Sequence, residues 1–249
     1  MLGIDELYKE LKSSNFLVDI DSRKIRKGSV FFAIKGDNFN GNEFIGDALK
    51  NGSRLAISDE ENPNLNDNHN VIKVSNSLST LQELSKFHRK KCNAKVIGIT
   101  GSNGKTTTKE LIYSVLSSNF KTICTTGNFN NHIGLPLSLF EIRHDTEFAV
   151  IEMGANNFGE IAFLTSLCEP DYGYITNFGK AHLEGFINID GVIKAKTELY
   201  QWIIKNDKTL LINGEDKNQK KFDNHKHIMF GCGENFQFNF REKNNDFVN

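Results

Sequence analysis

The hydrophobic pattern changes rhythm once along the chain. Over the first ninety-odd residues, short apolar runs alternate with turn-forming residues: "FLVDI" at 16–20, "SVFFAIKG" at 29–36, "RLAIS" at 54–58 and "VIKV" at 71–74. Runs of this length, rich in β-branched and aromatic residues, predict strands. Two segments have helical spacing instead. One is the opening "MLGIDELYKELKSS"; the other is "EFIGDALKNG" at 43–52, closed by Gly52. The polar "DEENPNLNDNHN" at 59–70 predicts a loop, and a helix from 77 to about 91 leads to a boundary near 92–95. Beyond it, strand lengths and helix lengths alternate. The strands are "KVIGIT", "FKTICT", "EFAVIEM", "YGYITN", "KTLLIN" and "HIMF". That alternation predicts a parallel sheet covered by helices on both faces. The expected class is α/β: a small mixed α/β domain over 1–93, then a mostly parallel-sheet domain over 94–249. The tail "GCGENFQFNFREKNNDFVN" has the pattern of a further strand region that the chain does not complete, so the second domain is expected to be truncated.

Composition narrows the class. A formal net charge of −1 with scattered Lys and Arg leaves no basic footprint for nucleic acid. The densest basic run, His88 to Lys91, has the character of a solvated helix end. Cys92, Cys124, Cys168 and Cys232 are far apart with no CxxC, which predicts reduced thiols and neither a disulfide frame nor a zinc site. The N-terminus lacks a signal-peptide apolar core, and no run approaches the ~20 apolar residues that span a bilayer. A soluble, cytoplasmic, monomeric protein with no membrane partner is expected.

The stretch "VIGITGSNGKTTTKE" at 96–110 carries the clearest chemistry. A buried-type strand ends, Gly101-Ser102-Asn103-Gly104 turns, and a helix opens on Lys105 and Thr106. Glycines let backbone N–H groups close on an anion, and the helix N-terminus adds partial positive charge. Lys105 can reach terminal phosphates and the Thr106 hydroxyl can bind Mg²⁺. The form is short, GxxGKT, because Ile99 stands where the longer GxxxxGK[ST] pattern needs glycine. Nucleoside triphosphate binding, with ATP the expected ligand, is the function this loop predicts.

Three further stretches follow strand ends, where open α/β sheets place their sites. "TTGNFNNHIGLPLSL" offers Thr126, Asn128, Asn130 and Asn131, although Asn clusters also simply make turns. "AVIEMGANNFGEI" ends a strand on Glu152, either an Mg²⁺ ligand or a capping or surface carboxylate. "ITNFGKAHLEGF" places His182 after a strand end, where a structural histidine is as good a reading as a functional one. Lys194 and Lys196, in "GVIKAKTELY", are by themselves surface lysines.

Together "TGSNGKTTTKE", "GNFNNHIGLPLSL", "IEMGANNFGEI" and "ITNFGKAHLEGF…AKTEL" resemble the ATP-dependent Mur ligases of peptidoglycan synthesis, and "DSRKIRKGSVFFAIKGDNFNGNEFIGDALKNGS" is similar to that family's UDP-sugar-binding domain. The resemblance covers about 19–213. Its wording is closest to the type that joins D-alanyl-D-alanine to UDP-N-acetylmuramoyl-tripeptide through an acyl phosphate. It implies a nucleotide-binding set of Gly101, Ser102, Asn103, Gly104, Lys105, Thr106, Thr107 and Asn128, with backbone N–H groups of the loop around the phosphates. It implies two Mg²⁺ ions, one on Thr106 and Glu152 and the second on His182. Lys196 matches a lysine that the family carbamylates with CO₂, turning a cation into a carboxylate-like anion; Lys105, Lys196 and His182 become the catalytic set. Ser22 and Arg23 match the motif at the UDP end of the sugar nucleotide, and Thr126 and Asn131 the loop near the muramoyl substrate. Asn42 stands where family members often carry histidine. By this resemblance the family's third, C-terminal domain is expected to be missing from this sequence. Two alternatives stay open: a catalytically incompetent ligand-binding fragment, and a relative adding another amino acid. The "DSR" segment argues against a folate-type substrate.

Overall fold

The computed structural model describes residues 2–36, 38–61, 68–179, 186, 188–232 and 238–240. The chain forms two compact units, Met1–Asn93 with His132–His144, and Ala94–Asn131 with Asp145–Asn249.

The first unit is built on β1 (Val18–Asp19), β2 (Val30–Phe32), β5 (Leu55–Ser58) and β6 (Val71–Lys73), a parallel sheet in the order β1-β2-β5-β6. A separate antiparallel pair, β3 (Lys35–Gly36) and β4 (Phe39–Asn40), lies between β2 and β5 in sequence. Strand period sorts the core. Val30 and Phe32 face a cluster with Leu7 and Leu11 of α1 (Ile4–Ser13) and Leu81 and Leu84 of α3 (Ser77–Lys91). Phe31 points the other way, against Ile45 and Ala48 of α2 (Ile45–Lys50). Phe31 and Phe32 are both fully buried, worth roughly 1.5–3 kcal/mol each. The Asn76 side chain caps α3, accepting from the Ser79 N–H at 2.8 Å. The predicted helix at 43–52 is a 3₁₀ turn, Gly41–Phe44, running into the shorter α2. One element comes from far along the chain: the helix Gly134–Phe140, α5 in chain order, adds Phe140 to the first cluster.

The second unit is a seven-stranded sheet in which every neighbouring pair is parallel. Its strands are β7 (Lys95–Thr100), β8 (Thr122–Cys124), β9 (Phe148–Glu152), β10 (Tyr172–Ile175), β11 (Thr209–Asn213), β12 (His227–Cys232) and β13 (Phe238–Phe240), in the order β13-β12-β11-β10-β7-β9-β8. β7 and β9 are buried along almost their whole length, which is why they read as unbroken apolar runs. Helices α4 (Lys105–Ser117), α6 (Glu160–Cys168) and α7 (Ile189–Lys205) connect them. The chain leaves β7 toward β8 and β9 on one side and reaches β10 on the other, so the loops after β7 and β10 part at a topological switch point. The tail segment enters this sheet as β13, beside β12. The four cysteines form no disulfide, and among the described residues no helix is long and apolar enough to cross a membrane.

Candidate functional site

The loop after β7 sits at that switch point. Gly101 has φ +144°, and a Cβ there would lie 2.0 Å from Thr176 Oγ1. Gly104, at φ +75°, is the left-handed residue that opens α4. Only glycine meets both demands cheaply. The loop after β10 grips it: Ser102 N–H donates to Asn177 O (3.1 Å), Asn103 N–H to Asn177 Oδ1 (3.1 Å), and Thr176 Oγ1 to Asn103 O (2.6 Å). Two N–H groups of the expected cradle are therefore engaged. The donors left for an anion are those that open α4, before the bond from Thr108 N to Gly104 O. Lys105 is half-buried and folds back, Nζ donating to the carbonyls of Gly101 (2.8 Å) and Ser102 (3.2 Å). Burial lowers its pKa, partly offset by the Glu152 carboxylate.

Glu152 ends β9 and is 2% exposed. Its carboxylate is shared: Thr106 Oγ1 donates to Oε2 at 3.0 Å, and Asn130 Nδ2 to Oε1 at 2.8 Å. Its backbone N–H donates to Thr125 Oγ1 at 3.0 Å. A hydroxyl and a carboxylate held together at a helix N-terminus are the oxygen donors Mg²⁺ takes, so the donor chemistry of Thr106 and Glu152 fits that ion. Gly154 lets the Asn130 side chain approach, with Asn130 Oδ1 3.1 Å from where a Cβ would stand. Thr126, Thr107, Asn128 and Asn131 are exposed; the Thr126 and Asn128 carbonyls accept turn bonds from Phe129 N and Asn130 N.

Lys196 is on the inner face of α7, 1% exposed, and donates only weakly to Ala155 O at 3.4 Å. Its Nζ stands 5.4 Å from the centre of the Phe186 ring. Burial first, and the Lys105 ammonium second, push its pKa down to about 8. Glu198 anchors α7 to the segment that follows β9, accepting from Gly159 N (2.8 Å) and Ala162 N (2.9 Å). Lys194 lies over the exposed Phe158 ring instead, at 5.7 Å. His182 lies outside the described residues.

In the first unit, Ser22 is buried in a 3₁₀ turn and Arg23 is exposed. Asp21 accepts from Arg23 Nε (2.8 Å) and Nη2 (2.9 Å), and the guanidinium holds its carboxyl at a pKa of about 2. These residues line a groove of about 510 Å³ with Ile20, Ile34, Gly36, Phe39, Phe44 and Ile133. Phe39 and Phe44 stack at 5.1 Å and 8°. Asn42 is buried beside it, donating to Asp59 Oδ1 (2.9 Å) and accepting from Ser58 Oγ (2.9 Å), a polar node that replaces any histidine contact there.

Sequence reasoning did not single out Thr125, Thr176, Asn177, Lys109 or Glu198. Of these, Thr125, Thr176 and Asn177 carried a signal, as residues just after strands β8 and β10.

A model of the Mur ligase middle domain matches residues 99–247, and one described as "Mur ligase family, catalytic domain" matches 17–89. A Bacillus subtilis protein named UDP-N-acetylmuramoyl-tripeptide–D-alanyl-D-alanine ligase is 40% identical over 199 residues, covering 80% of this chain and 43% of its own. MurF from Acinetobacter baumannii superposes with TM-score 0.78 at 31% identity, covering 90% of this chain and 53% of that one. MurF from Thermotoga maritima, solved with ADP, gives 0.76 at 32%, covering 86% and 50%. The chain spans about half the length of the relatives it matches. With the two family models matched in order and the GxxGKT loop and Glu152 at the expected strand ends, the chain belongs to the Mur ligase family.

Proposed function

We propose that this chain supplies the nucleotide and sugar-nucleotide sites of an ATP-dependent amide ligase that adds D-alanyl-D-alanine to UDP-N-acetylmuramoyl-tripeptide in the cytoplasm, acting as a monomer. The observation that carries the reading is the Thr106–Glu152 contact at 3.0 Å beside the GxxGKT loop, in a chain whose relatives bear that activity in their names. In the reaction, the tripeptide's terminal carboxylate attacks the γ-phosphorus of ATP, ADP departs, and an acyl phosphate forms. The D-alanyl-D-alanine amine then attacks that carbonyl and phosphate leaves, completing the amide.

The chain's contribution is positioning and charge. The opening N–H groups of α4 receive the β- and γ-phosphates. Lys105 exchanges its loop carbonyls for phosphate oxygens, which costs little because those contacts are local. Gly101 to Gly104, Thr107 and Asn128 shape the pocket around the triphosphate. Thr106 and Glu152 would hold one Mg²⁺, with Asn130 fixing the carboxylate; the ion would offset charge on the transferring oxygens. His182 and, once carbamylated, Lys196 would hold a second.

Lys196 is suited to carbamylation. Only a neutral amine adds to CO₂, losing a proton as the carbamate forms. A pKa of about 8 raises the neutral fraction at pH 7 by about two orders of magnitude over an ordinary lysine. The same burial that costs stability as an ammonium favours the product once the anion has a metal to face.

In the first unit, the apolar groove walled by stacked Phe39 and Phe44, with Ser22 and Arg23 at its rim, would take the uridine diphosphate end. Thr126 and Asn131 would meet the muramoyl end.

Titration of the purified chain with UDP-N-acetylmuramoyl-tripeptide and, separately, with ATP and Mg²⁺ tests both sites. Saturable binding of each is expected, and Lys105→Ala should weaken ATP at least tenfold. A folded chain that binds neither ligand overturns the proposal. Binding of both without ADP formation, when all three substrates are present, would restrict the role to binding.

A further inference from the structure

Lys109 is not among the residues that the proposed reaction uses, yet it is 0% exposed. It sits one turn after Thr106 on α4. Its Nζ donates to the Thr125 carbonyl at 2.6 Å and pairs with Glu110 Oε1 at 2.8 Å. An ammonium is a poor way to fill a core, because burial strips its hydration and a methionine would pack without that cost. What the ammonium does is reach across to β8. Thr125 continues β8 by donating to Val150 O at 3.0 Å, and its hydroxyl accepts the Glu152 N–H at 3.0 Å. Glu152 in turn accepts from Thr106 Oγ1, one turn back on α4.

These contacts close a ring: Thr106 to the Glu152 carboxylate, Glu152 N–H to the Thr125 hydroxyl, Thr125 carbonyl to Lys109, and one turn of α4 back to Thr106. One helix thus holds Glu152 at two points, its carboxylate directly through Thr106 and its backbone N–H through Thr125. The geometry points to Lys109 as a positioning residue for the metal-nucleotide site: through Thr125 it fixes the height of Glu152 relative to Thr106, so that the two oxygen donors stay a cation's width apart. This rests on the proposed nucleotide site.

A packing residue and a positioning residue differ in what they do to the metal's effect on nucleotide binding. The measurement is the Kd for ATP by calorimetry, with saturating Mg²⁺ and again in excess EDTA, on the chain and its variants. Their ratio is the coupling between metal and nucleotide. Lys109→Met should cut that coupling at least tenfold and leave the EDTA value within twofold. An unchanged coupling overturns the inference, as does a rise in both Kd values together. If Lys109→Met fails to fold, Thr125→Val decides: it keeps the size and the carbonyl but removes the acceptor for Glu152 N–H. A tenfold loss of coupling there supports the ring, and none overturns it. If the unaltered chain shows no Mg²⁺-dependent ATP binding, the nucleotide reading itself falls and this inference with it. Unaltered chain coupled but variants unaffected removes only the role of Lys109.

Discussion

Gly101→Ala should destabilise the second unit, and the structure sets the size of the effect. The residue has φ +144°, where a side chain costs on the order of 1–3 kcal/mol. Its new Cβ would lie 2.0 Å from Thr176 Oγ1 and 3.0 Å from Thr176 N. Thr176 cannot retreat as a whole, because its N–H is tied to Thr100 O at 2.9 Å across the sheet. The hydroxyl must swing off Asn103 O, now 2.6 Å away, forfeiting about 1 kcal/mol. Strain and lost bond together come to roughly 2–4 kcal/mol, a fall of roughly 5–15 °C in melting temperature at the usual ~2–4 °C per kcal/mol for this size of chain. Trp202, the one tryptophan, lies in α7 of the same unit and reports its unfolding by fluorescence. A double-mutant cycle with Thr176→Ala separates the causes. Removing the hydroxyl relieves the overlap and leaves the backbone strain, so the pair should cost about 1–2 kcal/mol less than the sum of the single changes. Gly101→Ala within about 0.5 kcal/mol of the original chain, or strict additivity in the cycle, would refute the reasoning.

Two further effects follow from buried groups near the site. Tyr200 is 0% exposed and its hydroxyl donates to Leu211 O (2.7 Å), with Gln219 Oε1 3.1 Å away, so Tyr200→Phe should lower stability in urea by about 1–2 kcal/mol; no change would contradict that bond's contribution. Lys196→Met should stabilise the chain, and by an amount that depends on pH. Because the folded pKa of about 8 lies below the ordinary 10.5, the unfolded state binds more protons between those values and the original chain gains stability as pH rises through them. The advantage of methionine, roughly 3 kcal/mol below pH 8, should therefore shrink toward zero near pH 10.5 in CO₂-free buffer; a pH-independent difference in urea midpoints would contradict the assigned burial effect.

Much of this architecture was legible because it rests on unbroken apolar runs. β7 and β9 are buried on both faces, and a strand with no polar side announces itself. The α5 stretch, "GLPLSLF", shows where periodicity fails. Its apolar residues declare that they are buried but not in which core, and they join the first unit although the flanking strands belong to the second. The turn from β7 into α4 was legible through Gly101 and Gly104, while its clasp by Thr176 and Asn177 was not, since hydrogen bonds between strand-end loops depend on strand order.

The lysines are more instructive, because residue type alone misplaces them. Lys194 and Lys196 differ by two positions and look alike in composition, yet only Lys196 is buried. Phase separates them. Val192, Ala195, Lys196, Leu199, Tyr200 and Ile203 form the i, i+3, i+4 stripe of a packed helix, with Thr197 also buried at its edge. Lys196 falls on that stripe and Lys194 does not. The same holds in α4, where Lys109 is in phase with Ile112 and Leu116, which pack against the sheet, and out of phase with the exposed Leu111 and Val115. A lysine on the apolar phase of a helix must bring its ammonium to some buried acceptor or lose it to neutrality. Lys109 brings its Nζ to the Thr125 carbonyl at 2.6 Å, whereas Lys196 has one long contact, 3.4 Å to Ala155 O, and a pKa that burial lowers to about 8. The same residue type thus meets two settings: Lys109 holds the end of β8 through the Thr125 carbonyl, and Lys196, with only its long contact, gives up its proton more readily than an exposed lysine.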